Sequence, residues 1–323
     1  MAVYTEVPDE ALAAFVADYE IGELTSCKGI AEGVENSNYL LTTDRGRYIL
    51  TLYEKRVAKD DLPFFLGLME HLAAAGLSCP TPLRDRHGAM LSELAGRPAA
   101  LVTFLEGLSL KRPQVRHCAG LGEALANLHR DGEGFALTRP NSLSLAGWRD
   151  LAERLGPDAD KVSPGLHRFI VDELAALDAL WPKNLPAGVI HADLFPNNVF
   201  FMGDRLSGLI DFYFACNDFY AYDVAVCLCA WCFEDDGSYN ITKGQGLLTA
   251  YAAARPFTDA ELAALPLLAR GAALRFLLTR AYDWMHTPQT ALVKKLDPTE
   301  YTKKLRFLQK THSISQLGLS IAT

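Results

Sequence analysis

Hydrophobic and polar positions follow two different periods along the chain, and the change falls near residue 105. Residues 22–29, 38–42 and 47–53 alternate with period two, and Thr43-Asp44-Arg45-Gly46 supplies turn chemistry between the last two, so an antiparallel meander is predicted. Leu62, Phe65, Leu66, Met69 and Leu72 then recur at steps of three or four, which predicts a helix that Gly76 ends before Pro80 and Pro82. Two more strands are expected at 89–94 and 99–105, joined by a Gly96-Arg97-Pro98 turn. Ahead of the meander, 1–12 reads as a short strand-like start and a capped helix.

Beyond Gly107 the helical period dominates. Pro113 stands at a first helical position before Val115, Cys118, Leu121, Leu125 and Leu128, which share one face up to Asp131-Gly132. Further helices are predicted at 147–155, 164–180, 221–233, 242–254 and 258–285. Thr258 and Glu261 have capping-box spacing, Pro266 is expected to kink or split the helix that follows, and Asp297-Pro298 opens a terminal helix. A short β segment at 188–190, 198–202 and 206–210 lies among these helices. The pattern predicts an α+β chain: a small antiparallel β-rich N-terminal lobe over 1–105 and a larger, mainly helical C-terminal lobe over 106–323.

Half of the 323 residues are hydrophobic, enough for a large core. The 31 basic against 39 acidic residues give a net charge of −8, and no Lys/Arg stripe offers a footprint for nucleic acid or an anionic membrane. The longest uninterrupted apolar run, 224–233, is about half what a bilayer-spanning helix needs, and the start has no basic stretch leading into an apolar one. A cytoplasmic protein is expected. Of seven cysteines, Cys227, Cys229 and Cys232 lie in that apolar run with no partner at zinc spacing, so they are expected to pack as small apolar side chains.

Chemistry concentrates in the embedded β segment. His191-Ala192-Asp193-Leu194-Phe195-Pro196-Asn197-Asn198 follows one apolar strand, and Leu209-Ile210-Asp211-Phe212 ends another. Phosphoryl transfer to an alcohol needs a carboxylate near the acceptor hydroxyl and oxygen ligands for Mg²⁺, and Asp193, with Asn198 and Asp211, has those types at a fitting spacing.

With these residues the chain resembles the aminoglycoside phosphotransferase and choline kinase-like group, relatives of the protein kinases. Leu125-Ala126-Asn127-Leu128-His129 is similar to the helix end ahead of the group's catalytic loop, and Tyr222-Asp223-Val224-Ala225 to its Asp-bearing helix start. The strings 49–54 and 211–218 are similar to the group's homoserine kinase branch. The resemblance implies a two-lobed protein kinase-like fold, ATP and Mg²⁺ in the cleft, homoserine as the acceptor and a place in threonine biosynthesis. Asp193 is then the catalytic residue and Asn198 and Asp211 the metal ligands, while His191, His129 and Asp223 are expected to support the loop. Nucleotide contact is expected from Gly29, Gly33, Asn36, Ser37 and Asn38, where a phosphate-covering loop would run, and from Thr103 and Leu105, where a connector backbone would pair with adenine.

One departure stands out. The group usually carries a basic residue in the third strand paired with a helix Glu, but here those places fall on Thr51 and Phe65, a joint loss that strands no charge. Lys28, Lys55 and Arg56 are candidates for the missing cation. For an amino-acid acceptor, Arg280 is the first candidate to meet the carboxylate, with Asp283 bracing it or facing the ammonium, and Arg275 is the second. Two alternatives remain open: a choline, ethanolamine or thioribose kinase with Trp231, Tyr282 and Trp284 caging the cation, and a silent nucleotide-binding module.

Overall fold

The computed structural model describes residues 5–30, 36–54, 57–287 and 295–320. Its first helix, α1 (Asp9–Val16), starts after Pro8, which offers no side-chain cap, and buries Leu12, Phe15 and Val16. Then come strands β1 (Leu24–Gly29), β2 (Ser37–Thr43) and β3 (Arg47–Leu52), helix α2 (Leu62–Ala74) and strands β4 (Ser92–Leu94) and β5 (Arg97–Thr103). Among the described residues these strands form a five-stranded antiparallel sheet in the order β1-β2-β3-β5-β4. Tyr39 lies opposite Leu50 and Leu50 opposite Leu101, so one face presents a continuous apolar row, and α1 packs on it through Leu12, Phe15 and Val16. Thr51, between Leu50 and Leu52, points to the other face.

The hairpin between β4 and β5 corrects the expected turn. Ala95 and Gly96 are both left-handed, at φ 51° and 71°, as a two-residue hairpin requires. Arg97 and Pro98 belong to β5 instead. Pro98 brings no N–H to the ladder, but its carbonyl accepts from Tyr53 N at 2.8 Å.

The chain divides into two compact units, Met1–Gly107 with Phe135–Leu137 and Ser207–Tyr213, and Leu108–Gly134 with Thr138–Leu206 and Phe214–Thr323. The second unit continues with β6 (Leu108–Ser109), α3 (Val115–Asp131), α4 (Leu145–Leu155), α5 (Leu166–Leu180), β7 (Ala187–Ile190) and β8 (Val199–Met202). The division passes through β9 (Arg205–Leu209). After it come β10 (Cys216–Phe219), α6 (Tyr220–Trp231), α7 (Ile241–Ala254), α8 (Asp259–His286) and α9 (Thr299–Leu308). β10 pairs antiparallel with β7, placing Cys216 opposite Ile190. Neither β6 nor β10 was expected: β6 is two residues long, and Asn217-Asp218 within β10 read as turn rather than strand.

Helix α6 is buried on nearly all sides, which is why its apolar run is unbroken, and Cys227, Cys229 and Cys232 pack within it. The Thr258–Glu261 capping box starts α8 as expected. Pro266 does not split α8: Leu265, Leu268, Ala269 and Ala272 are fully buried beside it, and their packing outweighs the roughly 3 kcal/mol an interior proline costs. By length and composition α8 would also suffice to cross a membrane, although 67% of its most apolar stretch is buried against protein.

Helices α3 and α7 come close at Gly122, where a methyl group would overlap the Leu247 carbonyl. That approach delivers Tyr251 of α7 to His129 of α3. Gly122→Ala is therefore expected to destabilise the protein by about 1–3 kcal/mol, read as a lower Tm. Gly120→Ala on the same helix, with only Leu206 at 4.0 Å, should be neutral or slightly stabilising.

Candidate active site

The loop from His191 to Asn198 leaves the buried end of β7 and is held from below by Asp223, in the first turn of α6. Its carboxylate accepts from His191 N at 2.7 Å and Ala192 N at 2.8 Å. His129 Nε2 lies 3.1 Å from the same carboxylate and His129 Nδ1 lies 2.7 Å from the Tyr251 hydroxyl. This network sets the tautomer, with Nε2–H donating to Asp223 and Nδ1 accepting from Tyr251. Burial alone would raise the Asp223 pKa, but the hydrogen bond from His129 and donation from His191 N hold it below the ordinary carboxylate value. Burial pushes His129 below the ordinary imidazole value against the pull of Asp223, so the ring is neutral. The expected supporting places of His191, His129 and Asp223 thus meet at one buried point.

Asn198 helps to fix the direction of Asp193. Asn198 Nδ2 donates to the Asp193 carbonyl at 2.9 Å and, more loosely, to Oδ2 at 3.4 Å. Asp193 N approaches His191 Nδ1 at 3.3 Å, and Trp231, buried in α6, donates from Nε1 to the Leu194 carbonyl at 2.7 Å. Because Asn198 commits its amide nitrogen to Asp193, its Oδ1 faces the other way, where it accepts from Asn197 at 3.1 Å. An amide oxygen and a carboxylate are hard donors of the type that suits Mg²⁺, and Asn198 and Asp211 each carry one.

Asp211 follows β9 in the first unit with φ 66°, a left-handed conformation that Asp tolerates better than most residues. Two residues on, Tyr213 meets Tyr53 and Phe65 edge to face at 5.5 and 5.8 Å, and burial raises its hydroxyl to about 12. Thr51 Oγ1 donates to Asn38 Oδ1 at 2.8 Å. The strand and helix positions that lack an ion pair are therefore filled by a packed, uncharged group of Thr51, Phe65, Tyr53 and Tyr213.

Around the expected phosphate loop, Gly29 closes β1 opposite Tyr39, while Gly33, Lys55 and Arg56 lie outside the described residues. The side chains of Asn36, Ser37 and Asn38 are engaged within the unit. Asn36 Oδ1 accepts from Glu54 N at 3.2 Å, and Ser37 Oγ donates to Glu54 Oε1 at 2.8 Å. Glu54 also meets Thr5 and Arg97, and its organising role was not singled out from the sequence, where only its place after β3 signals it. Thr103 ends β5 and exchanges bonds with Thr81, and the Leu105 side chain packs on Gly208.

The two arginines of α8 face different neighbours. Arg280 pairs with Glu300 of α9 at 2.7 Å and lies over Tyr301, a partner its own helix does not contain, while Asp283 sits a turn further on. Arg275 is the one beside the loop, with Nη2 3.4 Å from Asp193 Oδ1 and Nη1 bonded to the Ala192 carbonyl. Trp231 is buried whereas Trp284 is 39% exposed, so they do not form one cage. A cavity of about 940 Å³ has Pro196 and Trp231 in its wall, with Lys304, Lys243, Glu300 and Glu234 among its polar lining.

Phosphotransfer is the chemistry this fold and loop define, and the phosphotransferase enzyme family matches residues 26–257: the chain belongs to that family. It is 64% identical over 320 residues to a homoserine kinase of Xanthobacter autotrophicus, covering 99% of this chain and 100% of that one. A homoserine kinase of Sinorhizobium fredii is 63% identical over 319 residues, 99% of this chain and 98% of the other. Among solved structures, an amicoumacin kinase in complex with AMP-PNP and Ca²⁺ superposes with a TM-score of 0.70 at 15% identity, over 94% of this chain and 92% of that one. Choline kinase of Cryptosporidium parvum gives 0.67 at 17% identity, over 94% and 95%. The fold is accordingly protein kinase-like.

The depressed His129 pKa has a defined sign. Below the free imidazole value of 6.5 the unfolded chain takes up a proton that the folded site refuses, so the stability due to neutral His129 is complete above that value and erodes as pH falls below it. Tm measured between pH 7.5 and 5 should fall with acid, and His129→Gln should flatten that slope.

Proposed function

We propose that this chain phosphorylates the hydroxyl of L-homoserine with ATP as donor and Mg²⁺ as the metal. The observation that carries this reading is the pre-set Asp193–Asn198 loop, in a chain whose near-full-length relatives are named homoserine kinases. An alcohol hydroxyl has a pKa far above neutrality, so Asp193 orients it and accepts its proton late, as the bond to phosphorus forms. Asn198 and Asp211 would hold Mg²⁺, which, when bound, offsets charge on the transferring phosphoryl group. Asp223 keeps the loop in register throughout, so positioning supplies most of the rate.

An amino-acid acceptor also needs a cation and an anion. The cavity beside Pro196 offers both signs, in Lys304 and Lys243 against Glu300 and Glu234, whereas a quaternary ammonium would call for anionic or aromatic walls alone.

Asp193→Ala is expected to lower turnover about a thousandfold with nucleotide binding close to wild type, and Asp211→Ala to abolish the Mg²⁺-dependent part of ATP binding. Rate assays and calorimetry check the two, and retained turnover of Asp193→Ala would remove the base assignment. In an ADP-release assay across small alcohols, homoserine should exceed the carboxylate-free amino alcohol at least about tenfold in kcat/KM, and equal use would exclude homoserine as the preferred acceptor.

A further inference from the structure

Arg275 crosses from α8 to the loop over a sequence separation of 82 residues and is only 2% exposed. One amino group bonds the Ala192 carbonyl and the other reaches the Asp193 carboxylate. The guanidinium lies 4.5 Å from the Phe276 ring and 5.5 Å from that of Phe214. Its Nε has no hydrogen-bond acceptor among the described residues, and the hydroxyl of the buried Tyr222 lies against the guanidinium. A buried cation costs desolvation that a methionine of similar volume would not, so burial alone is a weak reason for an arginine here.

What it holds is a stronger one. Ala192 has φ 63°, a conformation that costs a non-glycine residue free energy and persists only where its surroundings over-determine it. Both polar groups of that residue are secured, its N–H by Asp223 and its carbonyl by Arg275. The same guanidinium then reaches the carboxylate of the next residue. A substrate carboxylate could take those N–H groups only by displacing Asp193 and the loop.

We infer that Arg275 is a positioning residue for phosphotransfer: by bridging the Ala192 carbonyl and the Asp193 carboxylate it locks the left-handed turn and sets the direction in which Asp193 meets the acceptor hydroxyl. The inference rests on the reading of Asp193 as the group that faces the acceptor. It differs from a substrate-binding role in what kinetics would show.

The test uses Arg275→Met and Arg275→Lys in the intact enzyme, alone and combined with Asp193→Ala, with kcat, both KM values and Tm measured for each. Arg275→Met should lower kcat by about thirtyfold or more while both KM values stay within about threefold, and Arg275→Lys should recover at least about fivefold of the loss. In the Asp193→Ala background, loss of Arg275 should change the residual rate less than about twofold, because the group it positions is gone. A raised KM for homoserine with kcat unchanged would overturn the inference in favour of substrate binding. A lower Tm with kcat unchanged, or equal factors in both backgrounds, would overturn it in favour of packing alone. Should Arg275→Met not fold, Arg275→Lys in the same cycle carries the test. An active Asp193→Ala enzyme would instead overturn the reading of Asp193, whereas an inert one beside a wild-type-like Arg275→Met would overturn only the role of Arg275.

Discussion

The carboxylate of Asp223 accepts two consecutive backbone N–H groups, those of His191 and Ala192, and because it sits fully buried at the start of α6 it has no water to turn to instead. The His191–Asn198 loop starts from that pair of bonds. An ionised carboxylate so placed is stabilised by the N-terminal end of the helix dipole and by charge-assisted hydrogen bonds. Its remaining demand is met by neutral His129, which is in turn met by Tyr251. The order of dependence runs from Gly122, which lets α7 approach α3, through Tyr251 and His129 to Asp223, and from there to the turn that presents Asp193.

A different economy operates in the first unit. At the positions where the resemblance implies an ion pair, Thr51 and Phe65 stand in a packed cluster with Tyr53 and Tyr213, and the start of β2 is tied by Glu54, which collects Thr5, Ser37 and Arg97. A lone lysine in place of Thr51 would enter a site with no carboxylate opposite it at Phe65. Loss of both members together avoids the penalty of an uncompensated buried charge and leaves Tyr213 rigid two residues after Asp211. Rigidity next to a proposed metal ligand is thus obtained from aromatic packing.

Legibility of the fold in the sequence followed the length of each element. The meander, α2 and most helices of the second unit show their period over six or more residues, but β6 is too short to show one, β10 is masked by Asn217-Asp218, and the β4–β5 turn was displaced because Pro98 reads as a turn former although its carbonyl serves the sheet. Asp193, Asn198 and Asp211 stood out because three oxygen-bearing side chains recur at strand ends. The sequence ranks Arg280 ahead of Arg275 on face-sharing alone, and a helical wheel shows which residues share a face and not which neighbour that face meets. Arg280 shares its face with Phe276, Leu277 and Trp284, yet that direction leads to Glu300 and Tyr301, while Arg275 is the arginine that looks onto the loop.

The arrangement around Glu300 bears on acceptor choice. Its carboxylate is bonded by Lys304 and Arg280, each at 2.7 Å, and although burial would raise its pKa, Lys304 and Arg280 outweigh that and keep it low. Lys243 and Glu234 form a second pair at 2.8 Å in the same cavity wall. A wall of neutralised pairs projects little net field, so it offers a purely cationic acceptor small long-range attraction. A zwitterion has no net charge to be steered, but its carboxylate and ammonium can each meet an opposite sign without leaving either member of a pair uncompensated. In the proposed reading this balance of signs, and no single arginine, is what sets an amino-acid alcohol apart from choline or ethanolamine.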